Sequence, residues 1–103
     1  MVTCSKCGAD PETVKSFARI ASISGSILGD EHIETLYYCQ SCGCYTIEFF
    51  FDDFDGEGSA RVEGPITKER GDQLAALIAR CGQPWDKKCR CPAHREYFGD
   101  SLD

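Results

Sequence analysis

Polar and apolar residues follow a strand-like order up to Thr67, and a helical spacing takes over after it. Phe17, Ala21, Ile23 and Ile27, with Ser and Arg residues between them, fit a strand. The same stretch offers a helical face of Val14, Phe17, Ala18 and Ala21, which Asp10 could open as N-cap with Pro11 at N1. Strand is the better reading, because β-branched residues accumulate here and Gly25 sits poorly in a helix. Gly29-Asp30 is a turn signal, and residues 32–39 return as a partner strand to make a hairpin. Residues 45–51 are a dense run of β-formers, Asp55-Gly56 supplies a turn, and residues 60–66 complete a second hairpin. Beyond Thr67, Leu74, Leu77, Ile78 and Cys81 fall at i, i+3, i+4 and i+7 of one helix face, with Gly82 suited to C′ and Pro84 past the end. The pattern predicts an α+β fold: antiparallel hairpins, then one amphipathic helix and a Cys/His-rich C-terminal segment. It also predicts one domain over residues 1–103, β-rich through residue 66 and helical with a second cysteine cluster from residue 67.

Composition sharpens this picture through cysteine. Eight cysteines in 103 residues is a high share, and a core this small gains from a cross-link or a metal. Residues 1–8, MVTCSKCG, have neither the basic nor the apolar region of a secretory signal, and no apolar run approaches a membrane span. A cytoplasmic protein is therefore expected, and in a reducing compartment clustered cysteines read as metal ligands or redox centres rather than disulfides. The net charge of −6 disfavours nucleic acid, whose nonspecific binding depends on Lys and Arg displacing phosphate counterions.

Cys4-Ser5-Lys6-Cys7-Gly8 and Cys39-Gln40-Ser41-Cys42-Gly43 repeat one C-x-x-C-G unit, each expected as a turn between strands. Two intervening residues let both sulfurs face one ion, and the glycine eases the turn because it tolerates positive φ. Two such turns supply four thiolates, a closed tetrahedral set that suits structural zinc.

These four cysteines resemble the knuckles of zinc-ribbon proteins, in which two C-x-x-C turns at the ends of β-hairpins clamp one zinc. The resemblance implies a fold and a structural metal rather than an activity. Rubredoxins, which hold iron, also look like two such knuckles. They commonly carry Pro after the third cysteine, where this chain has Gln40, and they end soon after the second knuckle. A thioredoxin-like redox dithiol fits less well, since it needs one pair at a helix N-terminus in a βαβ setting.

Cys81, Cys89, Cys91 and His94 form a second set, C-x7-C-x-C-x2-H, with Pro92 after the third cysteine and Trp85 inside the loop. Cys89 and Cys91 can reach one ion through a turn, and a short helix starting here would hold His94 in its first turn. Cys81 closes the shell from the helix end, although it also continues the apolar stripe and reads equally as a core thiol. Cys44 is the alternative ligand, in place of Cys81 or His94. His32 has no Cys or carboxylate neighbour at ligand spacing and reads as a surface strand residue.

Residues 30–58 hold eight acids and no Lys or Arg, whereas Lys87, Lys88, Arg90 and Arg95 cluster near the C-terminus and can offset the negative charge of a bound thiolate site. Asp53, Asp55 and Glu57 start a calcium-loop pattern that fails at its twelfth position, Gly64. Phe49, Phe50, Phe51 and Phe54 cannot all face one core, so some should cover the helix or a partner. No catalytic triad, phosphate loop or dinucleotide fingerprint is present. The expectation is a non-enzymatic zinc protein that binds another protein through the Phe-rich hairpin and its acidic rim. It has no evident small-molecule substrate.

Overall fold

The computed structural model describes residues 2–10, 15–27, 29–52, 58–99 and 102. Four antiparallel strands, β1 (Phe17–Ile27), β2 (Asp30–Cys39), β3 (Cys44–Asp52) and β4 (Gly58–Thr67), form one sheet in the order β1-β2-β3-β4. Two helices follow, α1 (Lys68–Ala79) and α2 (Pro92–Phe98). The α+β architecture and both hairpin pairings agree with the sequence pattern. The possible helix opening at residues 11–14, the Asp55-Gly56 turn, Phe54 and the start of the calcium-like loop lie outside the described residues.

Register assigns each side chain to a face. Leu36 pairs with Ala21 and Ile47, and Tyr38 with Tyr45, so these residues share the face that carries the helices. There Ile23, Leu36, Tyr45 and Ile47 form a buried cluster with Ile78 of α1, backed by Tyr97 and Phe98 of α2. Phe17, paired with Cys39, lies on the opposite face, although simple alternation would put it with Ile23. A bulge between Arg19 and Ala21 shifts the strand by one residue and flips its phase. Phe17 thereby joins a second cluster with Val2, Cys4, Cys39 and Cys44, stacked on Tyr37 at 5.4 Å.

The helix begins as expected: the Thr67 hydroxyl accepts the Arg70 N–H at 3.2 Å, satisfying a donor of the first turn. Its end differs. Gly82 is not among the positive-φ glycines, and α1 closes on Arg80 in right-handed geometry, with the Cys81 N–H donating to the Ile78 carbonyl at 3.0 Å. A tightened last turn satisfies the terminal carbonyls without a left-handed cap.

One further finding extends the sequence pattern and another corrects the expectation that each knuckle is a turn between strands. The second helix, α2, opens on Cys91 as N-cap with Pro92 in its first turn. The first knuckle precedes β1 instead of joining two strands, while the second is the β2–β3 turn. The phenylalanines divide as alternation requires. Phe49 and Phe51 lie on the helix-bearing face, where Arg61 stacks over both rings at 5.1 and 6.0 Å, and Phe50 lies on the other. His32 is half-buried, its ring meeting Phe51 edge-on at 4.7 Å.

Candidate metal centres

The first knuckle is pinned to the sheet by Ser5. Its backbone N–H donates to the Thr46 hydroxyl at 3.0 Å, and the two hydroxyls bond at 2.9 Å. Thr46 is fully buried on β3, so this anchor sets the knuckle against the second one. Within each knuckle a glycine N–H closes the turn on the first cysteine carbonyl, Gly8 to Cys4 at 2.9 Å and Gly43 to Cys39 at 2.8 Å. Both glycines take positive φ, 76° and 65°, which their lack of a Cβ makes inexpensive.

The result is a four-sulfur group of Cys4, Cys7, Cys39 and Cys42, whose Sγ atoms lie within 4.8 Å of one another. Cys4 and Cys42 are 3.8 Å apart, and Cys7 and Cys39 are 3.9 Å apart. A disulfide would bring sulfurs to about 2.05 Å. Four sulfurs at zinc-bond length around a tetrahedron stand about 3.8 Å apart, so the donors already have the spacing one ion requires.

The second group gathers Cys81, Cys89, Cys91 and His94, again within 4.8 Å. The Cys81 and Cys89 sulfurs are 3.8 Å apart, and His94 Nδ1 lies 3.7 Å from Cys91 Sγ and 3.0 Å from Cys81 Sγ. His94 is fully buried, and its Nε2 sits 2.8 Å from the Ser24 carbonyl of β1. A carbonyl can only accept, so Nε2 carries the proton and Nδ1 turns its lone pair toward the three sulfurs. This is the outer-shell bond that orients a metal-ligating imidazole.

Proton sharing reflects the crowding of acidic thiols. Burial alone would raise Cys4, but the backbone N–H groups of Cys7 and Lys6 and the adjacent thiols pull it down to about 6. The Cys7 thiol, then burial, push Cys42 up. In the other group the His94 backbone N–H, with the Cys81 and Cys89 thiols, lowers Cys91 to about 6, while burial pushes Cys81 up to about 11. Cys4 and Cys91 are thus poised as thiolates, and a divalent cation would favour ionising the raised Cys42 and Cys81 thiols.

All eight residues singled out in sequence fall in these two groups. Cys81 sides with the cluster while remaining buried. Cys44 belongs to neither set: it pairs with Cys39 across the β2–β3 turn and packs among the apolar residues there, where burial raises its thiol. Sequence reasoning did not find Thr46, Ser5 or Ser24. Thr46 sits in an unremarked strand position, and Ser24 contributes only its backbone, which leaves no trace in residue identity.

Comparison with family models, with curated proteins and with solved structures finds no match to this chain. The two groups are compatible with a zinc ribbon elaborated by a second Cys/His cluster. Among the described residues no helix is long and apolar enough to cross a membrane.

Proposed function

We propose that this chain is a small cytoplasmic zinc protein of zinc-ribbon type, in which both tetrads hold structural zinc and the folded unit serves as a protein-interaction module. The observation that carries the metal assignment is the 3.8–3.9 Å sulfur spacing, which matches a tetrahedral shell and is far too long for disulfides. Four protein donors per group leave no position for water or substrate, the mark of structural rather than catalytic zinc. The three-sulfur, one-nitrogen second set suits zinc better than a rubredoxin-type iron, whose ligands are four thiolates. Eight free thiols fit a reducing cytoplasm. Trp85, 71% exposed, is the type of side chain enriched where proteins meet.

Native mass spectrometry with elemental analysis tests the assignment. Two zinc ions per chain and a colourless solution are expected. A red sample with thiolate-to-iron absorption would replace zinc by a rubredoxin-like electron carrier. Retention on a polyanion column that weakens steeply with salt would favour nucleic acid over a protein partner.

A further inference from the structure

We infer that the second Cys/His cluster is a clasp on the sheet edge: metal bound there holds residues 81–94 across β1, and its release opens β1 to pair with a second copy of this chain. The inference rests on the metal reading of that cluster and adds a role to it.

The sheet has two edges, guarded differently. β4 is exposed along most of its length and carries Arg61, Glu63 and Pro65, which discourage strand addition. β1 carries one charge, Arg19, and its residues 20–26, IASISGS, have neither charge nor proline. Two copies of this segment could meet antiparallel about a two-fold axis without like-charge repulsion. Its one intrinsic guard is the bulge at Arg19/Ala21. The other guard is borrowed.

Ser24 is 7% exposed, and both of its backbone groups turn away from β2 into the cluster segment. Its N–H donates to the Pro84 carbonyl at 2.8 Å, and its carbonyl accepts from His94 Nε2 at 2.8 Å. Pro84 lies three residues after one cluster cysteine, and His94 is itself a cluster member. The two bonds that cap the edge are therefore held from both ends of the tetrad. Between them the segment bonds largely to itself, with Asp86 N–H to Gln83, Cys89 N–H to Asp86 and Lys88 N–H to the Asp86 carboxylate. Without an ion, three thiols and an imidazole have no strong reason to keep this loop closed. Opening it would strand the Ser24 N–H and carbonyl, and a second β1 offers the matching partners.

Cys89→Ala removes the cluster cysteine whose sulfur meets Cys81 Sγ, and Cys44→Ala, a thiol outside both groups, serves as the control. We expect Cys89→Ala to lose one zinc, to speed hydrogen exchange of the Ser24 amide by about tenfold or more, and to dimerise with rising concentration. Adding Ile20→Lys should abolish that dimer by placing a charge on the edge, and Cys89→His should restore zinc, protection and the monomer. Cys44→Ala should keep both zinc ions and leave Ser24 protected. Loss of one zinc with Ser24 still protected and the chain monomeric would overturn the clasp and leave the zinc reading intact. Retention of both zinc ions would instead overturn the second metal site. Loss of Leu36 and Ile47 protection together with Ser24 would make the cluster a support of the whole fold and also sink the clasp.

Discussion

The Tyr45 ring occupies the space where a Cβ on Gly71 would sit. Gly71 is buried at the end of the first turn of α1, and this close approach lets the helix settle on β3 while the Tyr45 hydroxyl donates to Asp72 at 2.6 Å.

Helix propensity alone favours Gly71→Ala by about 1 kcal/mol. The Tyr45 ring cannot move aside without breaking its Asp72 bond and disturbing the core, and overpacking of this kind costs about 1–3 kcal/mol. Gly71→Ala should therefore lower Tm by several degrees. Gly82→Ala, which meets nothing within 4 Å and needs no positive φ, should be neutral or slightly stabilising. Thermal melts of the two variants check the contrast, and equal shifts would refute it.

Tyr97 of α2 donates its hydroxyl to Glu34 of β2 at 2.9 Å. Tyr97→Phe should cost about 1.5–3 kcal/mol if the carboxylate is charged, as hydrogen bonds to ions do. Chemical denaturation at neutral pH reads this directly, and a midpoint unchanged from wild type would show that the bond contributes nothing.

Two carboxylates should shape the acid limb of stability in opposite senses. Burial raises Glu34, against the pull of the Tyr97 hydroxyl, so its contribution is full below the unfolded value of 4.5 and fades as pH rises through the folded one. The Lys68 ammonium and then the Tyr45 hydroxyl lower Asp72, so its contribution is present above 3.8 and fades as pH falls through the lower folded value. Glu34→Gln should raise stability at neutral pH relative to acid, and Asp72→Asn should remove part of the loss seen below pH 3.8. Melting curves across that range, at fixed metal content, distinguish the two signs.

Cys44→Ala and Cys39→Ala remove buried thiols that face each other across one turn. The first should cost on the order of 1 kcal/mol as a small core truncation, with the metal count unchanged. The second should lose one zinc and, with it, most of the roughly 10–16 kcal/mol that a structural site contributes. Elemental analysis alongside circular dichroism decides this, and a lost zinc in Cys44→Ala would restore Cys44 as a ligand.

Chain order and spacing by themselves determined the hairpins, the long helix and the first cysteine group, and left the second open between Cys44 and Cys81 or His94. Those features rest on local chemistry: a two-residue gap between sulfurs, a β-former run, a 3.6-residue stripe. Tertiary structure alone decided what depends on where distant segments meet. The bulge at Arg19/Ala21 sends Phe17 and Ile23 to opposite faces, a phase change that alternation cannot announce. Cys44 falls outside both tetrads because the strand pairing turns it into the core. His94 gains its orientation from the Ser24 carbonyl, 70 residues away, and a backbone group is the same whichever residue carries it.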